Sequence, residues 1–335
     1  MPLTTPARPY DVAALWPELV PLARTAVRLH PRIGDPATDR SSIGGPLWWP
    51  VEEPWPTCDR AHSWYDVATV DEAARYRQAM KTAWARTNVT RNDRFTPEER
   101  AFLDGLHAPG RNPWGATDPE GPQVMLPIAQ LYYRDVPGLP FGNEVDLLQV
   151  LWCPFDHEPG QSWPDIRLFW RNSGAFTGTA TRPPGTTVAG CKDYVPRPCT
   201  ITPETITDYP DYDLLPAGLR ARIEDWEGDE DANAYRDNAV VPGWKTGGWG
   251  APWGLFEAFD VRCQCGAPAH PLLNIAMAEW DRETVTHWMP VQERHLVDEH
   301  DQHRADPDLT IGRGYDLQIF HCATDPAHPP VTIMI

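Results

Sequence analysis

Apolar residues along this chain recur at two spacings. Leu19, Leu22, Ala23, Ala26 and Leu29 return every three or four positions ahead of Pro31, which predicts a helix over about 18–29. Residues 66–107 read as charged and helical. Within them Thr96-Pro97-Glu98-Glu99 is a capping box with proline at the first helical position, ahead of Phe102 and Leu106. A third helix is predicted after Pro216, with Leu219, Ile223 and Trp226 on one face, and its acidic tail over 224–231 reads as a solvated loop. Elsewhere short apolar runs stand between Gly and Pro, predicting strands at 124–133, 146–152, 166–170, 255–261, 272–277, 317–320 and 331–335. The spacers are too short and broken for βαβ crossovers. The expected class is therefore α+β with mainly antiparallel sheets, a helical N-terminus and a helical insertion.

The apolar runs also repeat. Leu148-Gln149-Val150-Leu151-Trp152-Cys153 matches Leu317-Gln318-Ile319-Phe320-His321-Cys322, and each cysteine is followed by a Pro-containing stretch and a histidine, His157 or His328. Leu126-Pro127-Ile128-Ala129-Gln130 pairs loosely with His270-Pro271-Leu272-Leu273-Asn274. Ile43-Gly44-Gly45-Pro46-Leu47-Trp48 pairs with Thr246-Gly247-Gly248-Trp249-Gly250. The landmarks keep one order in both halves, so two degenerate copies of one β-rich module are expected. The first, with the N-terminal helix, covers 1–208 and carries an insertion at about 59–122; the second covers 209–335.

Composition narrows the class. The 38 prolines shorten helices and suit turns and strand ends. A formal charge of −18 repels phosphate backbones and anionic lipid head groups, which sets nucleic-acid and membrane roles aside and suits a basic protein or peptide partner. No segment has a signal-peptide pattern or approaches the ~18 apolar residues of a membrane span, and seven cysteines is an odd count; both point to reduced thiols in the cytoplasm.

Ser42-Ile43-Gly44-Gly45-Pro46 followed by Trp55-Pro56-Thr57-Cys58 resembles the opening signature of the bacterial YwqG-like family of unknown function. Pro127 to Leu131, Lys245 to Trp249, Leu272 to Ala276 and Gly312 to Phe320 are similar to its later landmarks. Asn274 stands where that family usually has glutamine, and 59–122 has no counterpart in it. The resemblance implies a duplicated, mostly antiparallel β fold. It also implies distant kinship to the C-terminal domain of programmed-cell-death-2-like ribosome-assembly proteins, which are thought to chaperone a ribosomal protein. Bacterial members often look like toxin-immunity or partner-binding proteins.

The strongest chemical signal is Cys263-Gln264-Cys265-Gly266 with Cys322 and His328, since three thiols and an imidazole meet the donor count and softness of a structural zinc site. Cys-x-Cys is tighter than the usual Cys-x2-Cys knuckle. Cys153 and His157, joined by Cys58, read as a relic of the same arrangement. They also furnish the alternative of a cysteine-dependent hydrolase. His295 to His300 with His303 has neither zinc-protease spacing and reads as a polar loop, its alternative being a metal-dependent hydrolase. Gly243 to Thr246 and Gly312-x-Gly314 lack the strand and helix contexts of phosphate or dinucleotide loops.

Trp48, Trp49 and Trp55 in the first half, with Trp244, Trp249 and Trp253 at the matching place in the second, are candidates to line a peptide groove; core plugs are the competing reading for about half of them. The sequence therefore favours a non-enzymatic protein-binding module of chaperone or immunity type, with no catalytic residues. A structural subunit of a larger assembly is the remaining alternative.

Overall fold

The computed structural model describes residues 2–87, 90, 93–108, 121–140, 144–157, 163–181, 183, 187–228, 233–250, 260–296, 306–312 and 314–335. The chain is α+β with mainly antiparallel β structure, and two six-stranded sheets dominate it. The first runs in the order Ile166–Arg171, Leu147–Trp152, Leu126–Tyr132, Ser42–Ile43, Cys199–Thr200, Arg32–Ile33. The second runs Glu204–Asp208, Arg24–Arg28, Lys245–Gly247, Ala269–Ile275, Leu317–Cys322, Val331–Met334. The pairings along both sheets are antiparallel.

The two sheets share more than strand number. In the first, Val150 pairs with Ala129 and Leu151 with Pro127, leaving Ile128 as the bulged residue. In the second, Ile319 pairs with Leu273 and Phe320 with Pro271, leaving Leu272 in the same place. The proline causes it, because it cannot donate to the ladder and is tolerated at bulges. In each sheet the strand next to the central pair, Ser42–Ile43 or Lys245–Gly247, ends at a Gly-Gly turn. Gly44 and Gly45, like Gly247 and Gly248, all have positive φ. At Gly44 a Cβ would stand 2.6 Å from the Arg197 carbonyl, so only glycine supports both the conformation and the close approach.

One apolar core joins the sheets: Ile128, Leu148 and Val150 from the first pack in the same cluster as Leu273, Ile275 and Ile319 from the second. The partition at 208/209 cuts across this arrangement, because Arg24–Arg28 and Glu204–Asp208 are strands of the second sheet.

The helix expected over 18–29 is not formed. Pro17–Leu22 makes a 3-10 turn and Arg24–Arg28 a strand. Pro21 interrupts any α-helical ladder there. Ala26 pairs with Ile206 on one side and with Gly247 on the other, so pairing on both edges overrides a weak helical pattern. The helical N-terminus shrinks to Val12–Leu15 and that 3-10 turn. In the insertion, Val70–Ala85 and Pro97–Leu106 are helices, and each opens on a capping box, Thr69 with Glu72 and Thr96 with Glu99. Ala217–Glu227 is the third predicted helix, burying Leu219 and Ile223 but leaving Trp226 exposed at its end. The strand expected over 255–261 falls mostly outside the described residues.

Buried polar groups fasten loops to the sheets. Gln130 accepts from the Trp48 amide at 2.7 Å while Gln149 donates to the Trp48 carbonyl at 3.0 Å, clamping the strand that follows the Gly-Gly turn. Asn274, one methylene shorter, bonds the Gly243 carbonyl and Asp316 instead. At the N-terminal side of the second sheet, buried His30 lies between Glu279 at 3.0 Å and Glu204 at 3.1 Å. Arg32 joins Glu279 to Glu293, and Arg28 donates to Thr5 and to the Trp288 carbonyl. Burial pushes the Glu279 carboxyl up, but His30, Arg32 and Arg28 outweigh it and hold it at about 2. This network pins the N-terminal arm to the second sheet, since Glu204 accepts from both the Thr5 amide and its hydroxyl.

Candidate metal centres

Five of the seven cysteines and three histidines gather into two clusters of four donors, and in each the ligand atoms all lie within 4.8 Å of one another. None of the seven cysteines is in a disulfide. Either cluster could hold a metal ion.

Cys263, Cys265, Cys322 and His328, the set anticipated from the sequence, form the first of them. Cys322 closes the Leu317–Cys322 strand, and His328 sits in the turn that follows it. Cys263 and Cys265 flank a tight turn in which the Gly266 amide donates to the Cys263 carbonyl at 2.8 Å and Gly266 takes a φ of +85°. An Ala323 amide bond to the Pro268 carbonyl holds this turn against the end of the strand. The contacts are 3.7 Å between Cys265 Sγ and Cys322 Sγ, 3.6 Å between Cys263 Sγ and His328 Nδ1, and 3.4 Å between His328 Nδ1 and Cys322 Sγ. The Thr324 hydroxyl, 3.2 Å away, leads the groups that hold the Cys322 thiol down at about 5, and Cys322 in turn raises His328. Cys265 is exposed, Cys263 and Cys322 are buried, and His328 is half-buried.

The second cluster is Cys58, His62, Cys153 and His157, with every member buried. Cys58, Cys153 and His157 are the three residues that the sequence marks as a relic of the first arrangement. The fourth, His62, is not marked there, and it completes the set. Cys58 lies in the Thr57–Cys58 strand, paired with Gln123–Val124. His62 and His157 face each other across a two-stranded ladder, His62 pairing directly with His157. Cys153 follows the Leu147–Trp152 strand, its amide bonded to the Asp165 carbonyl at 2.9 Å. Cys58 Sγ stands 3.4 Å from His157 Nε2. A hydrogen bond from the Cys153 thiol, helped by His157, holds Cys58 at about 3 despite burial, and the same contact with burial pushes Cys153 up. Among the described residues, buried His62 Nε2 and His157 Nδ1 have no hydrogen-bond partner.

The clusters occupy matching places. Cys153 directly follows, and Cys322 ends, the strand carrying the Leu-Gln-aliphatic run, next to the bulged Pro-containing strand. The other half of each donor set comes from a segment beside that strand's end: Cys58 and His62 in one, Cys263 and Cys265 in the other.

Two of the six candidate groove tryptophans are core residues. Trp49 and Trp244 are each 1% exposed and donate to the Glu53 and Ala276 carbonyls, so they are core residues and present no face to a partner. Trp55 is half-buried, its indole bonded to the Met125 carbonyl and packed against a core cluster. Half-buried Trp249 donates to the Leu22 carbonyl beneath the Arg24 guanidinium. Trp48 is half-buried in the glutamine-clamped segment, and Trp253 lies outside the described residues. Of the polar loop, His295 sits in the 3-10 turn Arg294–Leu296, while His300 and His303 lie outside the described residues.

The fold is that of a β-rich protein with two donor clusters that could each hold a metal ion. No protein-family model matches the chain, and no curated protein matches it. Among the described residues no helix is long and apolar enough to cross a membrane.

Proposed function

We propose that this is a non-enzymatic, partner-binding protein with two structural zinc sites, one in each of two duplicated modules. The observation that carries the reading is the closed donor geometry. A tetrahedral zinc with Zn–S of about 2.3 Å and Zn–N of about 2.0–2.1 Å has S···S edges of about 3.8 Å and S···N edges of about 3.5 Å. The 3.7 Å sulfur pair and the sulfur–nitrogen contacts of 3.4 and 3.6 Å match those edges. The 3.4 Å contact between Cys58 and His157 in the buried cluster matches as well. Buried His62 Nε2, without a hydrogen-bond partner among the described residues, accords with the fit, since coordination through that atom would remove the cost of leaving it unbonded.

Four protein ligands leave no position for water or substrate, which argues against catalytic zinc. Burial of Cys58 and Cys153 argues against the cysteine-hydrolase alternative, because a nucleophile must meet its substrate. The shared strand order, bulge and Gly-Gly turns support duplication. The charge of −18 suits a basic protein or peptide partner in the cytoplasm, and the YwqG-like resemblance accords with such a role.

Elemental analysis of the full chain, purified without added metal, tests the zinc: two equivalents per chain are expected, and none would overturn it. Affinity capture from the cells that make the protein tests the partner. A single stoichiometric basic protein is the expected result, and a partnerless protein across low and moderate salt contradicts it.

A further inference from the structure

The two donor sets differ in what can reach them. Every donor of the Cys58 set is buried, whereas Gln264, Cys265 and Gly266 are exposed at the tip of the turn in the other. A Cβ placed on Gly266 would meet nothing within 4 Å, so the tip is open space. The exposed sulfur also has a partner in line, Cys322 Sγ at 3.7 Å. The difference in charge reinforces this. Two thiolates and two neutral imidazoles bring a zinc ion to neutrality, which suits full burial; three thiolates leave a negative site with nucleophilic sulfur at the surface.

We propose that Cys265 is an oxidant-sensitive thiolate, and that hydrogen peroxide converts Cys265 and Cys322 into a disulfide and releases the zinc of that site alone. The inference rests on the zinc reading of this cluster. In the first step the Cys265 thiolate attacks one peroxide oxygen; an S–O bond forms, the O–O bond breaks, and hydroxide leaves and takes a proton from the buffer acid, as does the hydroxide released in the second step. In the second the Cys322 thiolate attacks the Cys265 sulfur; the S–S bond forms, the S–O bond breaks, and a second hydroxide leaves. Each sulfur loses one electron, the two peroxide oxygens gain them, and two waters result. Closing 3.7 Å to the about 2.05 Å of a disulfide asks only that the exposed turn shift. Cys263 and His328 then remain as two ligands, too few to retain zinc.

The test uses the full chain with its zinc content measured beforehand. Peroxide is added, released zinc is read with a chromogenic chelator, and the protein is examined by intact mass and peptide mapping. Release of one of two equivalents, a mass lower by two hydrogens and a Cys265–Cys322 cross-link reversed by a dithiol are expected. Retention of both ions, release of both together, release without a cross-link, or a cross-link elsewhere overturns the inference while the zinc reading stands. A preparation that never held zinc overturns the zinc reading, and this inference with it. Cys265→Ser gives a second check: it should lack the releasable equivalent and form no disulfide, while keeping the buried ion.

Discussion

The two clusters place the same number of donors at matching points of two similar sheets, yet they are built differently. The buried one takes Cys-x3-His twice, Cys58 with His62 and Cys153 with His157. The more open one takes Cys-x-Cys and Cys-x5-His. In the first, paired backbone orients the donors, since His62 and His157 are ladder partners and Cys58 pairs with Gln123. In the second, two tight turns do so, and one turn tip is left in water. The lesson is that convergence of sheet ends, and not a fixed spacing, assembles a four-donor site. How far solvent reaches then separates a purely structural site from a reactive one.

Breaking the buried site should have the largest effect. Cys153→Ala removes a ligand from a cluster with no solvent to replace it, and structural zinc contributes ~10–16 kcal/mol in small zinc-dependent peptides. Loss of cooperative melting, or a fall of many degrees, is expected, together with loss of that zinc equivalent. An unchanged melting curve would remove the metal from the account of this half.

Next in size is the ion network that fastens the N-terminal arm, which distinguishes the second sheet from the first. Glu279→Gln leaves buried Arg28 and His30 short of a carboxylate and should cost about 3–5 kcal/mol in chemical denaturation. The pH dependence has a definite sign. Glu279 is held at about 2 against an ordinary 4.5, so its contribution is fully present above about pH 4.5 and fades as pH falls toward 2. The variant should lack that part of the acid dependence.

Cys265→Ser sharpens the comparison of the two clusters. The exposed site should lose its zinc with a smaller drop in melting temperature than Cys153→Ala causes, because three of the donors and the sheet beneath remain packed. A larger drop than that of Cys153→Ala would reverse the order of the two sites' contributions to stability. Thr96→Ala should be the mildest change, costing about 1 kcal/mol through loss of an exposed capping box, with zinc content untouched.

Much of the fold was readable in the sequence where local chemistry and tertiary structure agree. The Thr96 capping box and the Leu-Gln-aliphatic strands belong to that group. The stretch 18–29 was misread because its apolar spacing satisfies a helix while its neighbours supply strand pairing on both sides. Half of the site chemistry was legible because Cys-x-Cys stands out. His62 was not, since it lies four residues past Cys58 in a stretch without repeat or family counterpart, and only the ladder with His157 gives it meaning. Among the tryptophans, Trp49 and Trp244 follow the core reading, though the sequence does not single them out. Sequence shows that Trp49 and Trp244 sit beside Gly-Gly turns, but not that those turns fold their indoles inward onto backbone carbonyls.

X-ray absorption at the zinc edge of the purified chain tests the central claim most directly. Five thiolates and three imidazoles shared by two ions predict an average shell of 2.5 sulfurs and 1.5 nitrogens with no light oxygen ligand. A shell containing water oxygen, or one with fewer than two sulfurs per zinc, would contradict two closed structural sites and favour the hydrolytic alternative.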